Sequence, residues 1–229
     1  MGAIYLIRHG QASFGQANYD QLSKVGEEQG AVLGRHFKAI GLQADQVICG
    51  GMQRHAQTAD QCLREMGYSG GRAIDEGYNE YNHEEVLARY KPEFAEPQGI
   101  AQAIAREANP KAAFQRLFAA AVERWVLGEH DADYSESWRG FSSRCAQALE
   151  NSIAAGGSGH NTLVFTSGGA ISILVQAALG LSDRQAFELN WIIANSSVTR
   201  LIYGKGRPTL SYFNNYSHVE GDRRLLTYR

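Results

Sequence analysis

Short apolar runs alternate along this chain with longer segments whose apolar residues recur at helical spacing. Ile4-Tyr5-Leu6-Ile7 predicts a buried strand that ends on Arg8-His9-Gly10. After a polar loop over Gln11–Gln21, the residues Leu22, Val25, Val32, Leu33, Phe37 and Ile40 predict an amphipathic helix, with Gly41 as its stop. Asp45–Gly51 reads as a second strand ending in two glycines. Met52–Gly67 reads as a second helix, with Ala56, Ala59, Cys62, Leu63 and Met66 on one face. Strand, helix, strand, helix in this order predicts a parallel sheet with crossover helices.

The pattern changes over about 75–135, which is rich in Glu, Arg, Ala and Tyr and carries Pro92, Pro97 and Pro110. Asn109–Gly128 predicts a helix with Pro110 in its first turn. No linker poor in apolar residues sets this segment apart, so residues 1–229 are expected to form a single domain in which about 75–135 is a helical insertion or lid over the sheet edge. A helix over 136–155 and a glycine-rich turn lead to Thr162–Gly169, again an apolar strand running into glycines. The helix that follows (170–181) is apolar nearly all round and too short to span a bilayer. Two closing strands follow as a hairpin across Gly204-Lys205-Gly206. The expected fold is a three-layer α/β/α sandwich, mainly parallel, with an antiparallel edge.

Composition narrows the function. Of 229 residues, 44% are hydrophobic and 20% charged, as in an ordinary globular protein, and the net charge is −2. No global basic field would recruit nucleic acid or an acidic membrane, so neither is an expected partner. Any bound anion must be held by a local cluster. Cys49, Cys62 and Cys145 are odd in number and dispersed, which suits neither a disulfide framework nor a zinc site. They read as small core residues of a reducing compartment. The first residues resemble neither a signal peptide nor a myristoylation site, so the expected location is cytoplasmic.

Three predicted parallel strands end in unusual residues: Arg8-His9-Gly10, Gly50-Gly51 with Arg54 just inside the next helix, and Ser167-Gly168-Gly169. Ligands of open α/β sheets sit beyond the carboxyl ends of strands, where helix N-termini offer free N–H groups and a positive dipole end. Taken singly, each feature has an ordinary explanation: a paired histidine, a solvated arginine, a tight turn. Together on one edge, two arginines, glycines and helix starts make a phosphate site. Competing motifs are absent. There is no G-x-x-x-x-G-K-[ST], no G-x-G-x-x-G after a strand, no H-E-x-x-H and no G-x-S-x-G.

"LIRHG", "LSKVGEEQGAVLGRHF", "MQRHAQTA", "YNEYNHEEV", "FTSGGAI" and the tail "SSVTRLIYGKGRPTLSYFNNYSHV" resemble, in that order, segments of the histidine phosphatase superfamily, the phosphoglycerate mutase-like proteins. The resemblance covers nearly the whole chain. It implies that His9 is a nucleophile that becomes phosphorylated, that Arg8 and Arg54 clamp phosphate oxygens, and that Glu80 protonates the leaving alcohol and later activates water. It implies no metal and no cofactor. The family's second catalytic histidine corresponds to Ser167, and the family's usual acidic residue after the glycine is Gln11. Gly168, Ser13 and Asn18 are further candidates for phosphate contact, and His218 is a second-shell residue or a substitute for the missing histidine. A histidine at 167 would offer a stronger donor, so Ser167→His is expected to raise activity.

The function implied is a phosphomonoesterase for a small phosphate ester, weakened by Ser167. A phospho-ligand or protein-binding pseudoenzyme is the rival from another class, and a phosphoglycerate mutase-type phosphotransferase the lesser one. A homodimer is left open. Tyr78, Tyr81, Tyr90, Arg89 and Lys91 are either substrate contacts or core aromatics and solvated charges.

Overall fold

The structure, a computed structural model, describes residues 1–13, 20–105 and 107–228. Asn18 lies outside the described residues. The chain divides into two compact units, one formed by Met1–Glu80 with Arg144–Arg229, the other by Tyr81–Ser143.

The first unit is built on six strands among the described residues: β1 (Gly2–Arg8), β2 (Gln46–Cys49), β3 (Ala73–Ile74), β4 (Asn161–Thr166), β5 (Val198–Tyr203) and β6 (Thr209–Asn215). They lie in the order β3-β2-β4-β1-β5-β6. Pairing is parallel from β3 through β1 and antiparallel for β5 and β6. The register sets Arg8 beside Thr166 and Cys49 beside Phe165, so the strand ends that carry the chemistry come out on one edge. Residues alternate between the faces of the sheet. Ala3, Tyr5, Ile7, Val47, Cys49, Leu163 and Phe165 share one buried cluster with Leu33 and Phe37 of α1 (Lys24–Ala39) and with Ala59, Cys62 and Leu63 of α2 (Gln53–Met66).

Local signals explain the helix ends. Ser23 caps α1 by accepting from Gly26 N–H at 3.1 Å. Gly67, at φ 81°, closes α2 in the left-handed region that glycine adopts without strain. The intervening helices are α3 (His83–Tyr90), α4 (Pro97–Ile104), α5 (Pro110–Val126) and α6 (Trp138–Ala155), and α6 runs from the second unit into the first. Two more, α7 (Gly168–Leu179) and α8 (Asp183–Asn190), follow β4. No helix among the described residues is long and apolar enough to cross a membrane.

The second unit has its own aromatic core. Tyr81 packs on Trp125 at 4.9 Å between ring centroids, and Trp125 meets Trp138 edge-on at 5.2 Å. This compact unit spans Tyr81–Ser143. Asp75 and Tyr78 belong to the sheet unit, where Asp75 N–H bonds the Cys49 carbonyl at 3.0 Å and Tyr78 is fully buried. All three cysteines are buried and free.

Candidate active site

His9 leaves the end of β1 held by its backbone on both sides. Its N–H donates to the Thr166 carbonyl at 2.9 Å, and its carbonyl accepts from Ser196 N–H and Asn195 Nδ2, each at 3.2 Å. The ring is fixed as well, with Nδ1 lying 2.7 Å from the Gly10 carbonyl. A carbonyl can only accept, so Nδ1 carries the proton and the lone pair of the neutral ring sits on Nε2. Nε2 accepts from Arg54 Nε–H at 3.2 Å. Burial, then the charges of Arg54 and Arg8 and the neighbouring His55, hold the His9 pKa well below the ordinary value. The imidazole is therefore neutral and nucleophilic at physiological pH.

Gly10 is required by close approach: a Cβ there would lie 2.4 Å from the Gly26 carbonyl oxygen. The same residue ties β1 to α2, because Gly10 N–H donates to Thr58 Oγ1 at 3.0 Å and Thr58 Oγ1 donates to the Arg54 carbonyl at 2.7 Å.

Arg54 is not a solvated helix residue. It is 4% exposed, and its Nη1 pairs with Asp20 at 2.6 Å. The other Asp20 oxygen accepts from Gln53 N–H at 2.8 Å, so one carboxylate orients the arginine and covers a free N–H of the first turn of α2. Arg8 is anchored from elsewhere: its Nη1 donates to the carbonyls of Ile193 and Tyr228, the latter at 3.0 Å. Gln29 secures that tail by donating to the Leu225 carbonyl at 2.7 Å and to Thr227 Oγ1 at 2.9 Å.

Glu80 reaches the start of α7, where its carboxylate accepts from Gly169 N–H at 3.1 Å. The turn before it is clasped by Arg144, whose Nη1 donates to the carbonyls of Glu76, Gly77 and Asn79 at 2.9, 3.1 and 3.2 Å. Asn79 Oδ1 accepts from Gly51 N–H at 2.6 Å, and the Tyr78 carbonyl accepts from Thr166 Oγ1 at 2.6 Å. A Cβ on Gly168 would lie 2.2 Å from Asn190 Oδ1, so a larger residue there would displace the Asn190 side chain.

Ser167 is fully buried and stands 2.6 Å from His55 Nε2. The His55 ring lies 5.8 Å from that of His9. His55, Asp20, Asn79 and Arg144 all escaped the sequence reading. His55 had a detectable signal, because His55, Thr58, Ala59 and Cys62 fall at i, i+3, i+4 and i+7 on the buried stripe of α2.

His9, Arg54 and the His55–Ser167 pair thus meet at the ends of β1, β2 and β4, with Glu80 and Gly168 at the start of α7. An imidazole lone pair backed by guanidinium groups and a helix N-terminus is an arrangement for phosphoryl transfer. Residues 4–216 match the histidine phosphatase superfamily (branch 1). The chain belongs to that superfamily.

Solved histidine phosphatase-like structures agree in fold. A phosphoserine phosphatase from Entamoeba histolytica superposes with a TM-score of 0.66 at 17% identity, covering 96% of this chain and 100% of that one. A phosphoglycerate mutase from Bacillus anthracis gives 0.64 at 20%, covering 95% and 94%. An alpha-ribazole phosphatase from Shigella flexneri gives 0.61 at 17%, covering 93% and 96%. No curated protein matches the sequence at a significant level.

The remaining candidates make other contacts. Ser13 N–H pairs with the Gln21 carbonyl at 2.8 Å, beside the bridge between Ala12 and Leu22. His218 lies 3.0 Å from Ser196 Oγ and faces the His36 ring, and the Ser196 backbone N–H in turn donates to the His9 carbonyl. Tyr78 and Tyr81 are core residues of their respective units. Arg89 pairs with Glu85 at 3.7 Å, and Lys91 lies over the rings of Tyr90 and Phe94.

Proposed function

We propose that this superfamily member is a metal-independent phosphomonoesterase acting on a small phosphate ester through a phosphohistidine at His9. The observation that carries the reading is the state of His9: neutral by burial, its proton fixed on Nδ1 by the Gly10 carbonyl, its Nε2 lone pair turned to Arg54.

His9 Nε2 attacks phosphorus as the bond to the leaving oxygen breaks, and Glu80 in its protonated form gives that oxygen a proton. Water then attacks the phosphohistidine, Glu80 takes its proton, and phosphate leaves with His9 restored. Arg8, Arg54 and the N-terminus of α7 meet the charge on the non-bridging oxygens, so a protein-supplied field replaces a metal ion. Measured as a lone neutral donor, Ser167 contributes about 0.5–1.5 kcal/mol where a charged donor contributes about 1.5–3. A deficit of ~1–2 kcal/mol slows the reaction by roughly 5- to 30-fold.

Hydrolysis of p-nitrophenyl phosphate in the presence of EDTA tests the reading. Turnover is expected, with loss of activity in His9→Ala and, after rapid quench with labelled substrate, an acid-labile, base-stable adduct on His9. Phosphate binding without turnover would make the protein a phospho-ligand binding module instead, and an adduct on another residue would remove His9 from its role.

A further inference from the structure

Ser167 is the N-cap residue of α7, yet its hydroxyl does not cap that helix. A serine in this place ordinarily accepts a backbone N–H from the first turn. Here Glu80 accepts from Gly169, and Ser167 Oγ is turned to His55 Nε2 at 2.6 Å. His55 is fully buried, and its other nitrogen, Nδ1, faces the Gly50 backbone without closing a well-formed hydrogen bond among the described residues. The chain makes room for that edge with a glycine, since a Cβ on Gly50 would lie 2.3 Å from Nδ1. A ring packed only for stability would be better served by an apolar residue, which leaves no buried polar atom unsatisfied.

We infer that His55 and Ser167 act as one donor to the phosphoryl group. Ser167 presents its hydroxyl proton to a non-bridging oxygen, and His55 Nε2–H donates to Ser167 Oγ. The imidazole gains its second proton from solvent when the phosphate dianion binds, so the donor becomes charge-assisted at the moment it is needed. His55 is then a positioning residue that acts through Ser167.

The groups facing His55 explain why the proton arrives with the anion. They are Arg54 on the same helix, His9 from β1, Ser167 between β4 and α7, and the Gly50 backbone at the end of β2. Burial and Arg54 keep the free imidazole neutral, and only the Gly50 backbone favours protonation. A dianion between Arg54 and Ser167 reverses the field. An opposite charge at close range raises a histidine pKa by roughly 1–3.

The inference rests on a phosphate occupying the proposed site, and its test separates the two. Titration calorimetry of His9→Ala protein with inorganic phosphate, near neutral pH in buffers of different ionisation heat, reads protons taken up after correction for phosphate's own ionisation. An uptake of a fraction of a proton that grows as pH falls is expected, dropping to none in His9→Ala/His55→Gln, whose amide donates to Ser167 but cannot gain a proton. Affinity should fall roughly 10-fold with it. Equal uptake in both proteins, or none in either, overturns the inference. Should the glutamine variant fail to fold, His9→Ala/Ser167→Ala decides: unchanged uptake and affinity remove Ser167 from the pair and overturn it. Wild-type protein that shows no phosphatase turnover but retains His55-dependent uptake sinks only the enzyme reading. Protein that binds no phosphate sinks both.

Discussion

Position 167 is enclosed: Ser167 and His55 are both fully buried, and their polar atoms are in contact at 2.6 Å. From the sequence, a histidine at 167 looks like a gain, because it adds a chargeable donor. The burial of both residues argues for the opposite outcome, since a second imidazole would have to enter space beside His55. Ser167→His is expected to lose about 1–3 kcal/mol through overpacking and to gain no activity. Shrinking the other wall should relieve it, so Ser167→His/His55→Ala should recover stability and turn over faster than the single variant. Thermal unfolding and kcat/KM of both variants check this. A single Ser167→His protein as stable as the parent and more active would show that His55 does not occupy the place. Residue identities at strand ends were legible: Arg8, His9, Arg54 and Ser167 could be read because a cation or hydroxyl after an apolar run is conspicuous. His55 could be placed on the buried stripe of α2 by its spacing, but its role could not, because its partner lies 112 positions away.

At the scale of elements, the segment that delivers Glu80 has almost no regular structure of its own. It is a strand of two exposed residues, Ala73 and Ile74, followed by a single 3-10 turn over Glu76–Tyr78. Its position comes from outside, chiefly from Arg144 in α6, whose guanidinium satisfies three carbonyls of the turn. Arg144→Ala should therefore loosen Glu80 without touching Arg8 or Arg54. The expected result is a fall of about 10- to 100-fold in kcat, the range a misplaced catalytic group produces, with KM changed far less. A steeper loss with an activated leaving group than with an alkyl phosphate would contradict this, because the proton donor proposed for Glu80 matters most when the leaving oxygen needs a proton. The repeated strand–helix units were readable from the sequence because short continuous apolar runs, buried on both faces, alternate there with segments of 3.6-residue period. The β3 strand was not, being too short to show any period. The α8 helix was overlooked although Ser182 and Gln185 form a capping box at its start, a signal written in the sequence itself. Clasps such as Arg144 on the turn, or Asp20 on Arg54, join residues distant in sequence and leave no local trace.

For the molecule as a whole, a net charge of −2 gives no strong global field, so its response to pH is set by particular buried groups. Three of the seven histidines are held in the neutral form in the native sheet unit. His9 and His55 lie well below the ordinary value, first through burial and then through Arg54. His218 is lowered to about 4, by burial and by His36 facing it, with Ser196 as its hydrogen-bond partner. In the unfolded chain all three titrate near about 6.5. Below that pH the unfolded state binds protons that the native state refuses, so stability rises with pH in this window and is lost on acidification. Each such site contributes up to about 1.4 kcal/mol per pH unit, and three together up to about 4. Above the unfolded value they add no dependence. Carboxylates begin to act in the same direction only near about 4 to 4.5, which leaves the interval from about pH 6.5 to 5 to the histidines. Urea unfolding across that interval should show stability falling with acid, and His218→Gln should flatten the slope by close to one proton. Saturating inorganic phosphate should flatten it further, because a native state that can protonate His55 no longer refuses that proton. A slope unaffected by His218→Gln would mean that His218 is protonated in the native protein as readily as in the unfolded chain.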